Sequence, residues 1–337
     1  MPELPDIVVY VESLECRLLG QAIEHIRLVS PFVLRTALPP ISEAQGRRVL
    51  EVRRMGKRIV LALEGRLFLV MHLMIAGRFK WLARAAKLPK VALADFDFPQ
   101  GTLVLTEAGT KKRASIHLIA GESALRAHDP GGLELLQARL ADFSARLTAE
   151  NHTLKRALTD PRVFSGIGNA YSDEILHRAR LSPLAQTQKL APAEVARLFD
   201  AAREILTEWT ERLRRQAGAA FPENVTAFRP EMAVHGRHGQ PCPVCGRITG
   251  GYSRPEAVSR RSLSAGSGMS SESPVADRRY ALQIASNRPW RTFAIAGRGG
   301  EDSCLECPLP KSMGSAAPMP DGGSCTPHRK PPGWLFP

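Results

Sequence analysis

Apolar residues at Ile7, Tyr10, Val11, Leu14 and Leu18 recur at the spacing of one helical face, and this predicts a helix over 5–19 that Gly20 closes as a C-terminal cap. After it the period shortens. Short β-rich runs at 23–29, 48–53, 58–63, 67–73, 77–81, 93–98, 102–106 and 114–118 alternate with turn residues and lack long intervening helices, the pattern of an antiparallel β-sandwich or barrel. From 129 to 218 helical spacing returns, predicting helices over 133–143, 151–158, 170–180 and 192–216. The Leu198, Ile205 and Leu206 stripe reads as helix packing.

The fold class expected is therefore α+β: an N-terminal helix with an antiparallel β-sandwich over 1–128, then a helical domain over 129–228. Residues 229–246 hold a Cys-x-x-Cys pair. Beyond Gly246 the texture changes, because 247–337 contain 13 Ser, 11 Gly and 11 Pro. Such a segment buries little core and is expected to be a disordered tail.

The chain has 337 residues, and no apolar run reaches the roughly 18 residues needed to span a membrane. The N-terminus also lacks a basic segment followed by an apolar one, so an intracellular protein, in the cytoplasm or at the nucleoid, is expected. A formal net charge of +13 points to a polyanionic partner. The six cysteines do not form the framework of a small secreted domain.

The chemistry begins at Met1-Pro2-Glu3-Leu4-Pro5-Asp6. Removal of Met1 leaves Pro2 as a secondary amine with a pKa of about 8, so an appreciable fraction is uncharged near neutral pH and can attack an electrophilic carbon. Glu3 is then placed by covalent geometry to move protons at the same centre. The plainer alternative is that Pro2 and Pro5 flank a helix start whose first turn suits Asp6. Downstream features decide between these.

Gly56-Lys57-Arg58 forms a turn between two strands and holds Lys57 at a loop tip. Asn151-His152-Thr153-Leu154-Lys155-Arg156 precedes Phe164-Ser165-Gly166-Ile167-Gly168-Asn169-Ala170-Tyr171, where glycines before a helix free backbone N–H groups to approach a phosphate. Flanked by Lys155 and Asn169, this fits a helix–two-turn–helix grip on a DNA backbone, although tight helix packing would also explain the glycines. His235-Gly236-Arg237-His238-Gly239-Gln240-Pro241-Cys242-Pro243-Val244-Cys245 supplies two thiolates to a zinc knuckle or, alternatively, a redox pair. His72 and His117 lie in strand-like runs as core or interface histidines, and Lys111 to Arg113 fit a solvated charge run.

With these residues in place, the chain resembles the formamidopyrimidine-DNA glycosylase and endonuclease VIII family of base-excision repair enzymes. The resemblance spans 2 to about 246 and rests on the P-E-L-P start, the G-K-R hairpin, H-L-M-I-A-G at 72–77, G-I-G-N-A-Y-S-D-E-I-L at 166–176 and the H-G-R-H-G-Q-P-C-P-V-C run. It implies a bifunctional glycosylase and AP lyase that flips a damaged base from duplex DNA. Pro2 would attack C1′ and form an imine (Schiff base) while Glu3 protonates the sugar-ring oxygen, and β-elimination would follow. Lys57 would hold phosphate and lesion near Pro2. Lys155 and Asn169, with Gly168 and Tyr171 beside them, would contact the DNA backbone. The partner implied is double-stranded DNA carrying damaged bases or abasic sites, bound by a monomer.

Three departures from the family pattern bear on this. Ile75 stands where a methionine wedge is usual, with Met74 one position earlier able to substitute. The region matching an R-R-F stretch is 109–114, whose Lys112 and Arg113 keep the charge for DNA without an aromatic wedge. The second Cys-x-x-Cys pair, Cys304 and Cys307, follows Cys242 and Cys245 only after 58 intervening residues, where the family has about 16. A loop of that length costs only logarithmically more to close. The abrupt change of composition nevertheless suggests a replaced or frame-shifted C-terminus, an incomplete finger and a weakened structural zinc site. A non-catalytic or decayed DNA-binding relative is the main competing reading, and an RNA-binding zinc-ribbon protein a second. The second needs stacking aromatics that a 6% aromatic content does not offer.

Overall fold

The computed structural model describes residues 1–249 apart from 224, 227, 228, 245, 247 and 248. Helix α1 (Leu4–Leu18) starts from Glu3, whose backbone N–H donates to the Asp6 carboxylate at 3.0 Å. Its Ile7, Tyr10, Leu14 and Leu18 pack into the sandwich core, while Leu4 joins the core of the helical domain. The helix therefore sits between the two domains and carries the N-terminus to their junction.

Eight strands follow: β1 (His25–Leu28), β2 (Val49–Met55), β3 (Arg58–Leu63), β4 (Leu67–His72), β5 (Gly77–Leu82), β6 (Ala92–Phe98), β7 (Gly101–Glu107) and β8 (Ser115–Ala120). They form two antiparallel sheets ordered β1-β6-β7-β5 and β2-β3-β4-β8. Ile59, Leu61, Leu69, Met71 and Leu118 point into the space between the sheets against Phe79, Phe96 and Leu105. Val60, Val70 and Ile119 point the other way and are covered by Leu125 of α2 (Glu122–Ala127), a short helix that the sequence reading lacks. Burial on both faces explains why β3 and β4 read as continuous apolar runs rather than as alternation.

The helical domain contains α3 (Leu140–Thr148), α4 (Leu154–Thr159), α5 (Asn169–Ala179) and α6 (Pro192–Ala217). Pro192 opens α6, where its missing N–H costs nothing, and Leu198, Ile205, Leu206 and Trp209 bury one stripe. The helix expected over 133–143 is corrected. Only its end is helical, because Leu133 exchanges backbone bonds with Val163 and Ser165 at 3.0 Å each. Among the described residues no helix is long and apolar enough to cross a membrane.

Candidate active site

The N-terminus is bound to the loop before α5. Leu4 N–H donates to Gly166 O at 2.9 Å, and the Glu3 carboxylate accepts backbone N–H bonds from Gly168 (2.7 Å), Ala170 (3.0 Å) and Tyr171 (3.2 Å). Glu3 is 1% exposed, so its charge is carried by the open N–H groups and dipole of α5. The sequence reading offered these N–H groups to a phosphate. The structure corrects it, since Gly168 N–H is taken by Glu3. The glycine serves close approach instead, because a methyl group there would collide with Glu3 Oε1 and come within 2.8 Å of Lys57 Nζ.

Lys57, from the β2–β3 turn, therefore comes to the same glycine as the Glu3 carboxylate, near enough for the two charges to act on each other. Burial lowers its pKa from the ordinary lysine value, and the Glu3 charge opposes that shift. Pro2 is buried beside them. The chain-terminal amine, on Met1, is lowered by burial, with Arg78 and Lys57 adding to the shift and Glu3 and Asp6 opposing it. A lowered amine is one that more readily becomes a nucleophile. Asp6 is pushed up to about 6 by burial, while its bonds to Glu3 N–H and Arg229 (Nη2 to Oδ1, 3.2 Å) work against that rise.

The helix–two-turn–helix residues divide. Asn169 is exposed at the first turn of α5. Lys155 lies next to it, but its ammonium donates to Asn169 O (2.7 Å) and Ser172 Oγ (2.8 Å) and pairs with Asp173. Its binding to a phosphate must compete with that pair. Tyr171, expected beside the DNA backbone, has its ring 0% exposed and packed edge-on to Trp209, while its N–H donates to Glu3.

On the sandwich side, Ile75 is 54% exposed at the β4–β5 turn, whereas Met74 folds back with its sulfur 2.6 Å from His72 Nδ1. Ile75 is thus the apolar residue that projects. His72 itself is lowered to about 4, by burial first and then by Arg58 and Lys57. Lys112 and Arg113 are exposed in the β7–β8 loop, which the buried Glu107 carboxylate ties down through Arg113 N–H (2.8 Å) and Ala114 N–H (3.0 Å).

Arg54, Glu134, Asp6 and Arg229 were not singled out from sequence for the site. The adjacent basic pair in R-R-M-G-K was the signal for Arg54, but charge on a strand has too many ordinary explanations. Glu174 was missed in the same way. Its buried carboxylate accepts the N–H groups of Ala233 (2.8 Å), Val234 (3.0 Å) and His235 (2.9 Å), fastening the segment before the knuckle beneath α5. Cys242 is buried with Sγ 3.5 Å from His177 Nε2, and Cys245, Cys304 and Cys307 lie outside the described residues. Among the described residues no three His, Cys, Asp or Glu side chains gather to hold a metal ion.

The formamidopyrimidine-DNA glycosylase N-terminal domain matches residues 1–116, and that family's H2TH domain matches residues 132–217. The formamidopyrimidine-DNA glycosylase of Thermus thermophilus is 34% identical over 258 residues, covering 73% of this chain and 91% of the relative. That of Heliobacterium modesticaldum is also 34% identical, covering 73% and 92%. Among solved structures, the MutM (Fpg) protein of Thermus thermophilus superposes with a TM-score of 0.61 at 32% identity, covering 74% of this chain and 92% of that one. A Lactococcus lactis FPG mutant bound to Fapy-dG-containing DNA shares the fold with a TM-score of 0.66 at 24% identity, covering 74% and 93%. A sandwich and a helical domain meeting over a chain-terminal amine thus fall in the DNA glycosylase class. The chain belongs to the formamidopyrimidine-DNA glycosylase family.

Proposed function

We propose that the protein is a bifunctional DNA glycosylase and AP lyase that excises oxidised bases through an imine on Pro2. The observation that carries this reading is the seating of Glu3 on three N–H groups of α5, with Lys57 reaching the same point across Gly168 and the N-terminal amine beside them. After loss of Met1, the Pro2 nitrogen attacks C1′ of a flipped nucleotide, and the glycosidic bond breaks with its electron pair leaving on the base. Glu3 moves the proton released by the nitrogen to the sugar-ring oxygen, so the ring opens to an iminium. The iminium acidifies the 2′-proton, and its loss expels the 3′-phosphate.

Lys57 supplies positive charge beside the reacting sugar, and exposed Asn169 offers its side chain to the phosphate backbone. Solved relatives include Lactococcus lactis Fpg with an abasic site and with an oxidised pyrimidine in DNA, which supports DNA with such lesions as the substrate of this chain; binding to the duplex as a monomer is part of the same proposal. The test is release of 8-oxoguanine or an oxidised pyrimidine from duplexes by the full chain and by Pro2→Gly. Release and strand cleavage by the wild type, lost in the variant with binding retained, is the outcome expected. Binding by the wild type without base release would instead favour a non-catalytic relative.

A further inference from the structure

We propose that Arg54 is a positioning residue for this chemistry, locking the hairpin that carries Lys57 onto the loop that seats Glu3. The inference rests on the imine reading and adds a part that the motifs do not contain. Arg54 lies near the end of β2 with its side chain 15% exposed. One guanidinium nitrogen donates to Gly56 O at 2.8 Å, inside the turn that presents Lys57, and to Ser165 Oγ at 3.1 Å. The other pairs with Glu134, which also accepts the Ser165 hydroxyl.

Each partner comes from a different piece of the site. Gly56 belongs to the Lys57 turn and has φ +60. Ser165 precedes Gly166, whose carbonyl holds Leu4 N–H and where an added methyl would lie 2.8 Å from Leu4 Cβ and 3.2 Å from Arg54 Nη1. Glu134 sits in the stretch that pairs with Val163 and Ser165 instead of forming the expected helix. A single planar cation thus fixes the hairpin, the Glu134 stretch and the loop before α5 against one another, and that loop in turn holds the start of α1 through Gly166 O. Lysine keeps the charge but lacks the fork needed to reach these acceptors together.

The consequence for chemistry runs through Lys57. The amine as it stands on Met1 is lowered first by burial, and the charged groups facing it are Glu3 and Asp6, which raise it, and Arg78 and Lys57, which lower it. The Pro2 amine exposed by loss of Met1 lies one residue further along and faces the same charges, so if the hairpin drifts it loses part of the Lys57 field and titrates higher. The acid limb of the pH–rate profile then moves to higher pH, which a general loss of stability does not produce.

The test is single-turnover borohydride trapping on an abasic-site duplex at saturating enzyme across the pH range, with duplex affinity and melting temperature measured in parallel. The proteins are the full-length wild type, Arg54→Met, Arg54→Lys, Glu134→Gln and, as a remote ion-pair control, Arg27→Met. Arg27 forms a bidentate pair with buried Asp95 on the other sheet, at 3.0 and 2.8 Å. Arg54→Met should slow trapping by about 10- to 100-fold, shift the acid limb upward and leave affinity nearly unchanged. Arg54→Lys should recover only part of the rate, and Arg27→Met should lose melting temperature without moving the limb. Should Arg54→Met not fold, Glu134→Gln, which keeps the shape of the bridge, carries the same readout. A wild-type rate and limb in the Arg54 and Glu134 variants, or a slowing that follows melting temperature as in Arg27→Met, would overturn the proposal. Failure of the wild type to trap would instead overturn the imine reading.

Discussion

Gly168→Ala puts the whole site under one added methyl group. The new Cβ would collide with Glu3 Oε1 and lie 2.8 Å from Lys57 Nζ, both closer than a side-chain carbon tolerates. Backbone holds Gly168 on one side through its bond to Glu3, so the carboxylate or the lysine must move. Losing one of the three charge-assisted bonds to Glu3 costs about 2–3 kcal/mol. If that cost falls on the transition state, at about 1.4 kcal/mol per decade, imine formation slows roughly 30- to 150-fold. The assay is single-turnover borohydride trapping on abasic duplex, with affinity measured separately so that a binding defect is not read as a chemical one. Trapping at a rate within about threefold of wild type would refute the argument that Glu3 and Lys57 act from the positions described.

Other perturbations test separate parts. Asp6, raised to about 6 from 3.8, favours the folded state while protonated, so its contribution is present below pH 4 and lost as pH rises through 6. Asp6→Asn should therefore gain on wild type by about 3 kcal/mol between pH 4 and 7 at most, the opposing Arg229 pair being already contained in the value of about 6; denaturant melts at the two pH values check this, and a constant difference would contradict it. Asn169→Ala should weaken duplex binding without changing the trapping rate at saturation. Lys155→Ala should do so less, because Lys155 already spends its charge on Asp173. Raising salt from about 50 to 200 mM should lower affinity by orders of magnitude through counterion release, and a flat response would remove duplex DNA as partner. Ile75→Ala should impair base extrusion more than Met74→Ala, since Ile75 projects and Met74 is folded onto His72, a comparison readable with a fluorescent base analogue.

Periodicity located the eight strands and four of the six helices because each buries a repeating face, as in α1 and α6. It failed at 133–143, where apolar spacing suited a helix but the backbone of Leu133 is claimed by Val163 and Ser165, a contact about thirty residues distant in sequence. It also passed over α2, six residues with one buried leucine. The site was legible where covalent order fixes it: Pro2 and Glu3 by adjacency, Lys57 by its turn, Asn169 by the helix it opens. What Glu3 touches was not legible, because a carboxylate and a phosphate are equally suited to a helix N-terminus. Arg54 and Glu134 were invisible for a different reason, since only the fold brings them together across eighty positions.

The most direct test of the account is the residue that becomes joined to DNA. Full-length protein, with loss of Met1 verified by mass, is reduced with borohydride on an abasic-site duplex, digested, and the modified peptide sequenced by mass spectrometry. The account predicts a deoxyribose remnant on the Pro2 nitrogen. A remnant on a lysine, or no adduct from protein that lacks Met1 and still binds the duplex, would contradict it.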